Sequence, residues 1–241
     1  MSILTRGRFA VREARGPADL AAAMALRRAV FRADRAGPEP HDAICRHMLV
    51  EDARDGAPVA TFRVLRLASG AELDRSLAAR SYGLARLEGF GQPMLELGRF
   101  CAHPARGDAD ILRVAWGALT RIVDREGIGM LFGCASFPGT DPAPHRPALD
   151  WLGAHHLAPA HWRPERRAAG ALPLVRGGVE PEARRAMVAM PPLLRTYLAM
   201  GGWVSDHAVI DPAMGTLHVF TAVEIAAIPP ARQRLLRAVA G

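Results

Sequence analysis

Met94-Leu95-Glu96-Leu97-Gly98-Arg99-Phe100-Cys101-Ala102 alternates as a strand and stops at His103-Pro104. The loop Ala105-Arg106-Gly107-Asp108 comes next, and Asp108 is placed to cap a helix from about Ala109 to Glu126, ended by Gly127. Met130-Leu131-Phe132-Gly133-Cys134-Ala135-Ser136-Phe137 is then a short apolar run suited to a buried strand. Strand, tight loop, helix, strand is a βαβ-type unit, whose parallel strands join one sheet by a right-handed crossover. This stretch makes the chain α/β.

Outward from it, Pro17-Ala18-Asp19 opens a helix over Leu20 to Phe31, and Gly37-Pro38-Glu39-Pro40 breaks into a loop. Ala43–Glu51 and Pro58–Leu67 read as strands joined through Arg54-Asp55-Gly56 as a hairpin, and Glu72–Leu87 as a short helical region. After Phe137, prolines, histidines and arginines crowd the chain around one helix near Ala148–His155, so that residues 138–190 read as an insertion over the core. Pro191–Met200 is a helix ended by Gly201-Gly202, Thr216–Val223 a last strand, and Pro229–Arg237 a short basic amphipathic helix or a frayed end. The expectation is one domain over residues 1–241, with the C-terminal helix and strand at 191–241.

The 241 residues are half hydrophobic and 23% charged, which is globular composition. No apolar stretch approaches the ~20 residues of a membrane span, and Arg6 and Arg8 break any apolar leader. Cys45, Cys101 and Cys134 form neither a zinc pattern nor a disulfide framework and fit a reducing cytosol. All 31 Lys and Arg residues are arginines, which removes lysine-nucleophile chemistry. A net charge of +7 implies an anionic partner, and because the arginines are dispersed without interleaved aromatics, nucleic acid is the weakest choice. His155-His156 and His161 lack metal-site spacing, so no metal is expected.

Several segments carry a resemblance: Asp42-Ala43-Ile44-Cys45-Arg46-His47-Met48-Leu49-Val50, Thr61-Phe62-Arg63-Val64-Leu65, Leu95–Cys101, and above all Leu131-Phe132-Gly133-Cys134-Ala135-Ser136-Phe137-Pro138-Gly139-Thr140-Asp141. Tyr197–Gly201 and Ala208–Asp211 add to it. Over most of its length the chain resembles the ornithine-lipid-type N-acyltransferases, often labelled hemolysin-like. These are related to the N-acetyltransferase (GNAT) superfamily and to the acyl-homoserine-lactone synthases. The resemblance implies a GNAT-like α/β (α+β) fold with a central mixed, twisted sheet flanked by helices and splayed strands for the acyl chain. It also implies transfer of a 3-hydroxy fatty acyl group from the 4'-phosphopantetheine thioester of acyl carrier protein to the α-amine of ornithine, giving a lyso-lipid. The carrier is then the donor substrate, no cofactor is held permanently, and the enzyme works in the cytoplasm with a peripheral contact on the anionic inner membrane.

Under that resemblance Glu96 is the candidate base, acting directly or through a water, because an α-amine is largely protonated at neutral pH. A salt bridge from Glu96 to Arg63 or Arg99 is the competing reading. Regular alternation puts Glu96, Gly98 and Phe100 on one face and Leu95, Leu97, Arg99 and Cys101 on the other. Gly98 suggests either a bulge turning a backbone N–H to the thioester carbonyl, or room for a neighbour. Arg106 suits one phosphodiester, since the loop lacks the Gly-rich coenzyme A pattern. Arg27, Arg28 and Phe31 match positions that close over substrate, or else pack and solvate. Arg46 departs from an acidic family position, for which Asp42 or Glu51 is the substitute. His47, Arg63, Phe100 and Phe137 complete the expected substrate and acyl contacts, and Arg99 and Ser136 join Glu96 as catalytic candidates, Ser136 toward the leaving thiolate. An acyl-homoserine-lactone synthase, an acetyl-CoA acetyltransferase and a non-catalytic membrane-active protein are the alternatives.

Overall fold

The computed structural model describes residues 2–31, 39–174 and 182–241. Gly37 and Pro38 of the expected loop, and residues 175–181 of the expected insertion, lie outside the described residues. In chain order the strands and helices are β1 (Ser2–Arg6), β2 (Phe9–Glu13), α1 (Gly16–Val30), β3 (Arg46–Asp52), β4 (Pro58–Leu67), β5 (Tyr82–Gly83), β6 (Met94–Ala102), α2 (Ala109–Glu126), β7 (Met130–Pro138), α3 (Arg146–His155), β8 (Glu165–Arg166), β9 (Ala171–Pro173), α4 (Ala183–Ala189), α5 (Pro192–Ala199), β10 (Trp203–Asp211), β11 (Thr216–Glu224) and α6 (Pro230–Ala240). Two compact units share them: Met1–Arg66, Leu95–Ile128 and Pro230–Gly241 form one, and Leu67–Met94 with Gly129–Pro229 the other.

In the first unit the strand order is β1-β2-β3-β4-β6, with β1 to β4 antiparallel in sequence. Arg6 pairs with Phe9 across a two-residue turn, where Gly7 takes φ +56, a left-handed value open to glycine. The register sets His47 opposite Arg63 and Met48 opposite Phe62, so cross-strand neighbours present His47 and Arg63 on one face and the two apolar side chains on the other. Helix α2 buries Ile111, Val114, Ala115, Ala118, Leu119 and Ile122, the three- and four-residue spacing of an amphipathic helix. Its N-terminus is capped by the Asp108 carboxylate, which accepts from the Asp110 N–H at 2.8 Å, and Gly127 closes it at φ +62. A Cβ on Gly117 would come within 2.6 Å of Leu4 Cδ2 and 3.1 Å of the Val239 carbonyl, so β1 and α6 approach α2 only over glycine.

In the second unit β7, β11, β10 and β9 form an antiparallel run, and β5 pairs with β8. Between Val204 and Ala208 the β10 register slips against β11. Ser205 Oγ fills that bulge, donating to the His207 carbonyl at 2.6 Å and accepting from the Phe220 N–H at 3.2 Å. Tyr82 is fully buried here and donates to the His218 carbonyl at 2.9 Å.

Each unit thus sets helices against a sheet, and the chain is α/β as expected. The region Glu72–Leu87 is not one helix but three short 3-10 turns around β5. The segment expected as a strand from Ala43 starts its strand only at Arg46, because Pro40–Ile44 folds as a 3-10 turn.

Candidate active site

Helix α1 buries Ala23, Met24, Leu26 and Arg27. Arg27 stands four residues after Ala23 and three after Met24, which puts a guanidinium on the inward face of the helix. The 3-10 turn Pro40–Ile44 brings the partners. Glu39 is its N-cap and Asp42 its third residue, in a reciprocal capping box with the Glu39 N–H donating to Asp42 Oδ2 at 2.7 Å. Pro40 supplies the preset φ of a first turn position. The turn therefore holds two carboxylates side by side.

Arg27 Nη1 reaches both Asp42 oxygens at 2.8 and 2.9 Å, and its Nη2 lies 3.4 Å from Glu39 Oε2. Arg63 of β4 pairs with Asp42 and lies 2.9 Å from Glu39. Arg99 of β6 donates to Glu39 Oε1 from Nη2 at 2.6 Å and from Nε at 3.1 Å. His47 Nε2 sits 3.2 Å from the Asp42 carbonyl oxygen. Two carboxylates thus bind three guanidiniums, with Arg27, Arg63 and Asp42 nearly out of solvent and Glu39 and Arg99 slightly more open.

The electrostatics reflect that packing. Burial alone raises the Asp42 carboxyl, but the Glu39 N–H and the Arg63 and Arg27 charges outweigh it and hold the group below the usual range. Glu39 behaves likewise, burial opposed by Arg99 first and then by Arg63 and Arg27. Burial pushes His47 down, so its imidazole favours the neutral form. Charged groups this buried repay their desolvation only with good partners, and an apolar set of equal volume often serves stability as well.

Glu96 of β6 is 5% exposed and, like Arg63, Asp42 and Glu39, lies near enough to Cys45 for its charge to act there. Burial pushes the Cys45 thiol up to about 11 against the pull of Arg63. Cys101 rises to about 12, again through burial. In both, burial favours the thiol over the thiolate.

Strand β6 departs from regular alternation at Arg99, which takes φ +53 and is the single non-glycine residue in the left-handed region among the described residues. A residue in that conformation re-aims the side chains after it. Gly98 faces Arg63, whose Nε would lie 3.6 Å from a Cβ there, and Arg99 reaches Glu39, which Arg63 also meets. Phe100 stacks on Phe62 with centroids 5.8 Å apart, on the opposite face from Arg63. The expected face assignment is therefore corrected: Arg99 joins the side of Gly98, and Phe100 leaves it. Gly98 provides room for Arg63 while the kink falls on the next residue.

An acetyltransferase (GNAT) domain family matches residues 26–117, a span that contains Arg27, Glu39, Asp42, Arg63, Glu96 and Arg99. The L-ornithine N(alpha)-acyltransferase of Rhodobacter capsulatus is 33% identical over 237 residues, 91% of this chain and 91% of that protein. The chain belongs to the L-ornithine N(alpha)-acyltransferase family. The relative of the same name from Brucella abortus is 33% identical over 196 residues, 76% of this chain and 68% of its own. A GNAT-like decarboxylase, GphF, solved with isobutyryl-CoA, superposes with a TM-score of 0.50 at 19% identity, covering 89% of this chain and 98% of that one. The fold is GNAT-like, and the protein is an acyltransferase.

Of the positions expected to serve this acyltransferase, the structure brings Asp42, His47, Arg63 and Arg99 into one cluster, and the charge of Glu96 acts on Cys45 alongside it. Arg27, and not Arg28, is the buried arginine of α1; Arg28 is exposed and Phe31 half-buried at the helix C-cap. Arg106 is held by the β3–β4 turn, 2.5 Å from Asp55 and 3.8 Å from Asp52. Arg46 forms a bidentate pair with Glu126 at 2.9 and 3.0 Å, and Glu51 bonds Arg12 at 2.7 Å, so Asp42 alone of the two substitutes lies in the cluster. In the second unit Ser136 is exposed on β7, and Phe137 is buried with its ring 5.1 Å from His145. Glu39 also belongs to the cluster, although it is not among the expected positions. Its signal is the Glu-Pro-x-Asp spacing of a capping box. Among the described residues no group of three or more His, Cys, Asp or Glu could hold a metal ion.

Proposed function

We propose that the protein transfers a 3-hydroxy fatty acyl group from acyl carrier protein to the α-amine of ornithine. The observation that carries this reading is Glu96, a carboxylate 5% exposed on β6, three residues before a strained Arg99 and acting on Cys45 together with Arg63, Asp42 and Glu39. The amine nitrogen attacks the thioester carbonyl, the C–N bond forms, and the C–S bond breaks to release the phosphopantetheine thiol. Glu96, directly or through water, takes the proton that the ammonium must lose, and the leaving thiolate receives one in turn. The kink at Gly98-Arg99 supplies a backbone N–H for the oxyanion, a contribution of about 3 kcal/mol in comparable sites. Arg99 and Glu39, the more open members of the cluster, suit the acceptor's α-carboxylate and its second ammonium, and Arg27, Arg63 and Asp42 hold them in place.

Arg28, Phe31, His47, Phe100 and Arg106 remain substrate candidates in this scheme. Arg106 meets a phosphodiester only by exchanging it for Asp55. An acidic carrier is drawn by the net charge of +7. The product is amphiphilic, which suits a peripheral contact with an anionic bilayer. The test is incubation with 3-hydroxyacyl carrier protein, or the acyl-CoA in parallel, and a panel of amino acids including ornithine and its basic relatives, with products read by mass. An N-acylornithine formed from the carrier is the expected product. Acyl transfer only from coenzyme A, or only to another acceptor, contradicts the proposal.

A further inference from the structure

We propose that α6 is the face by which the protein rests on an anionic lipid surface, an inference that builds on the reading of an amphiphilic product. Ala231, Arg234, Leu235 and Ala238 are exposed at i, i+3, i+4 and i+7 along Pro230–Ala240, one stripe of the helix. Leu235 is 58% exposed. The side through Leu236 and Ala240 turns inward, and Val239 at its edge lies over Gly117 of α2.

The cations around this stripe are poorly neutralised. Arg6 donates to the Ala238 and Val239 carbonyls at 2.7 and 3.0 Å, and Arg121 to the Ala240 and Ile3 carbonyls at 2.7 Å. These bonds satisfy the end of α6 and leave both positive charges without a carboxylate among the described residues. Arg234 has no partner among the described residues, and Arg237 meets Asp124 at 3.4 Å. Arg234 and Arg237 along α6, with Arg6 and Arg121 at its C-terminal end, thus put four guanidiniums on one element, and Asp124 is the one carboxylate bonded to any of them among the described residues. Arginine stems lie along an apolar boundary while their heads reach phosphates, and a leucine between them enters the acyl layer. A lipid surface offers both at once.

The test is co-sedimentation with phosphatidylcholine vesicles, with and without phosphatidylglycerol. The wild type should bind only the anionic vesicles and lose binding as salt is raised. Arg234→Gln and Leu235→Gln should each lower the partition coefficient about fivefold. Arg113→Gln, an exposed arginine on α2 beside Asp110, removes the same charge and should leave binding unchanged. All three variants should keep wild-type transfer from the acyl carrier without vesicles. Equal loss in Arg113→Gln overturns the proposal in favour of net charge, and no loss in the α6 variants overturns it outright. A raised KM for the carrier with vesicle binding intact overturns it too, and makes α6 a protein-docking face instead. Failure of the wild type to bind any vesicle ends the membrane reading and leaves the transferase reading, judged by product mass, untouched.

Discussion

Asp42 is the residue on which the buried cluster turns, since it bonds Arg27 and Arg63 and completes the cap of its own turn. Asp42→Asn leaves two buried guanidiniums short of charge, and a broken buried pair costs about 3 kcal/mol or more. A lowered urea midpoint with an unchanged m-value is the expected result. The pH dependence has a definite sign. Asp42 and Glu39 titrate below their unfolded values of about 4. Their stabilisation is complete above that pH and is lost as pH falls through the folded values. Asp19, held down to about 2 by Arg12 and the Arg15 N–H, acts in the same direction. Urea midpoints measured from about pH 7 to pH 3 should fall on the acid side, and fall less steeply in Asp42→Asn.

At the level of elements, close backbone approach dictates several loops. A Cβ on Gly70 would stand 2.0 Å from the Leu87 carbonyl oxygen, whereas Gly89 has open space. Gly70→Ala should cost about 3 kcal/mol or more, and Gly89→Ala stay within about 0.5 kcal/mol, measured by urea unfolding. Much of the element order is legible in the sequence. Pro58–Leu67, Met94–Ala102 and Ala109–Glu126 fold over the expected residues, because apolar strand-forming runs, an Asp cap and a terminal Gly all agree there. The β1–β2 hairpin is not legible, since its Gly7-Arg8 turn sits among arginines that blur a five-residue alternation. The 3-10 turn at Pro40–Ile44 reads as loop and strand, because its determinant is a side-chain capping box and not periodicity. Within the site, Arg63, Asp42 and Glu96 stand out as charges in apolar strands or familiar segments. The swing of Arg99 does not, because nothing in its side chain announces a positive φ.

At the scale of the whole molecule, charge and chemistry meet. The excess of arginine predicts that carrier-dependent kcat/KM falls as ionic strength rises, while kcat at saturating carrier changes little. A profile flat in salt argues against electrostatic steering of an acidic donor. On the proposed mechanism Glu96 relieves the acceptor of its proton. The most direct measurement is the turnover of Glu96→Gln with 3-hydroxyacyl carrier protein and ornithine, on protein whose circular dichroism and urea midpoint match the wild type. A loss of about 100-fold or more in kcat on an intact fold is expected. Turnover close to wild type removes Glu96 from the reaction and contradicts that mechanism.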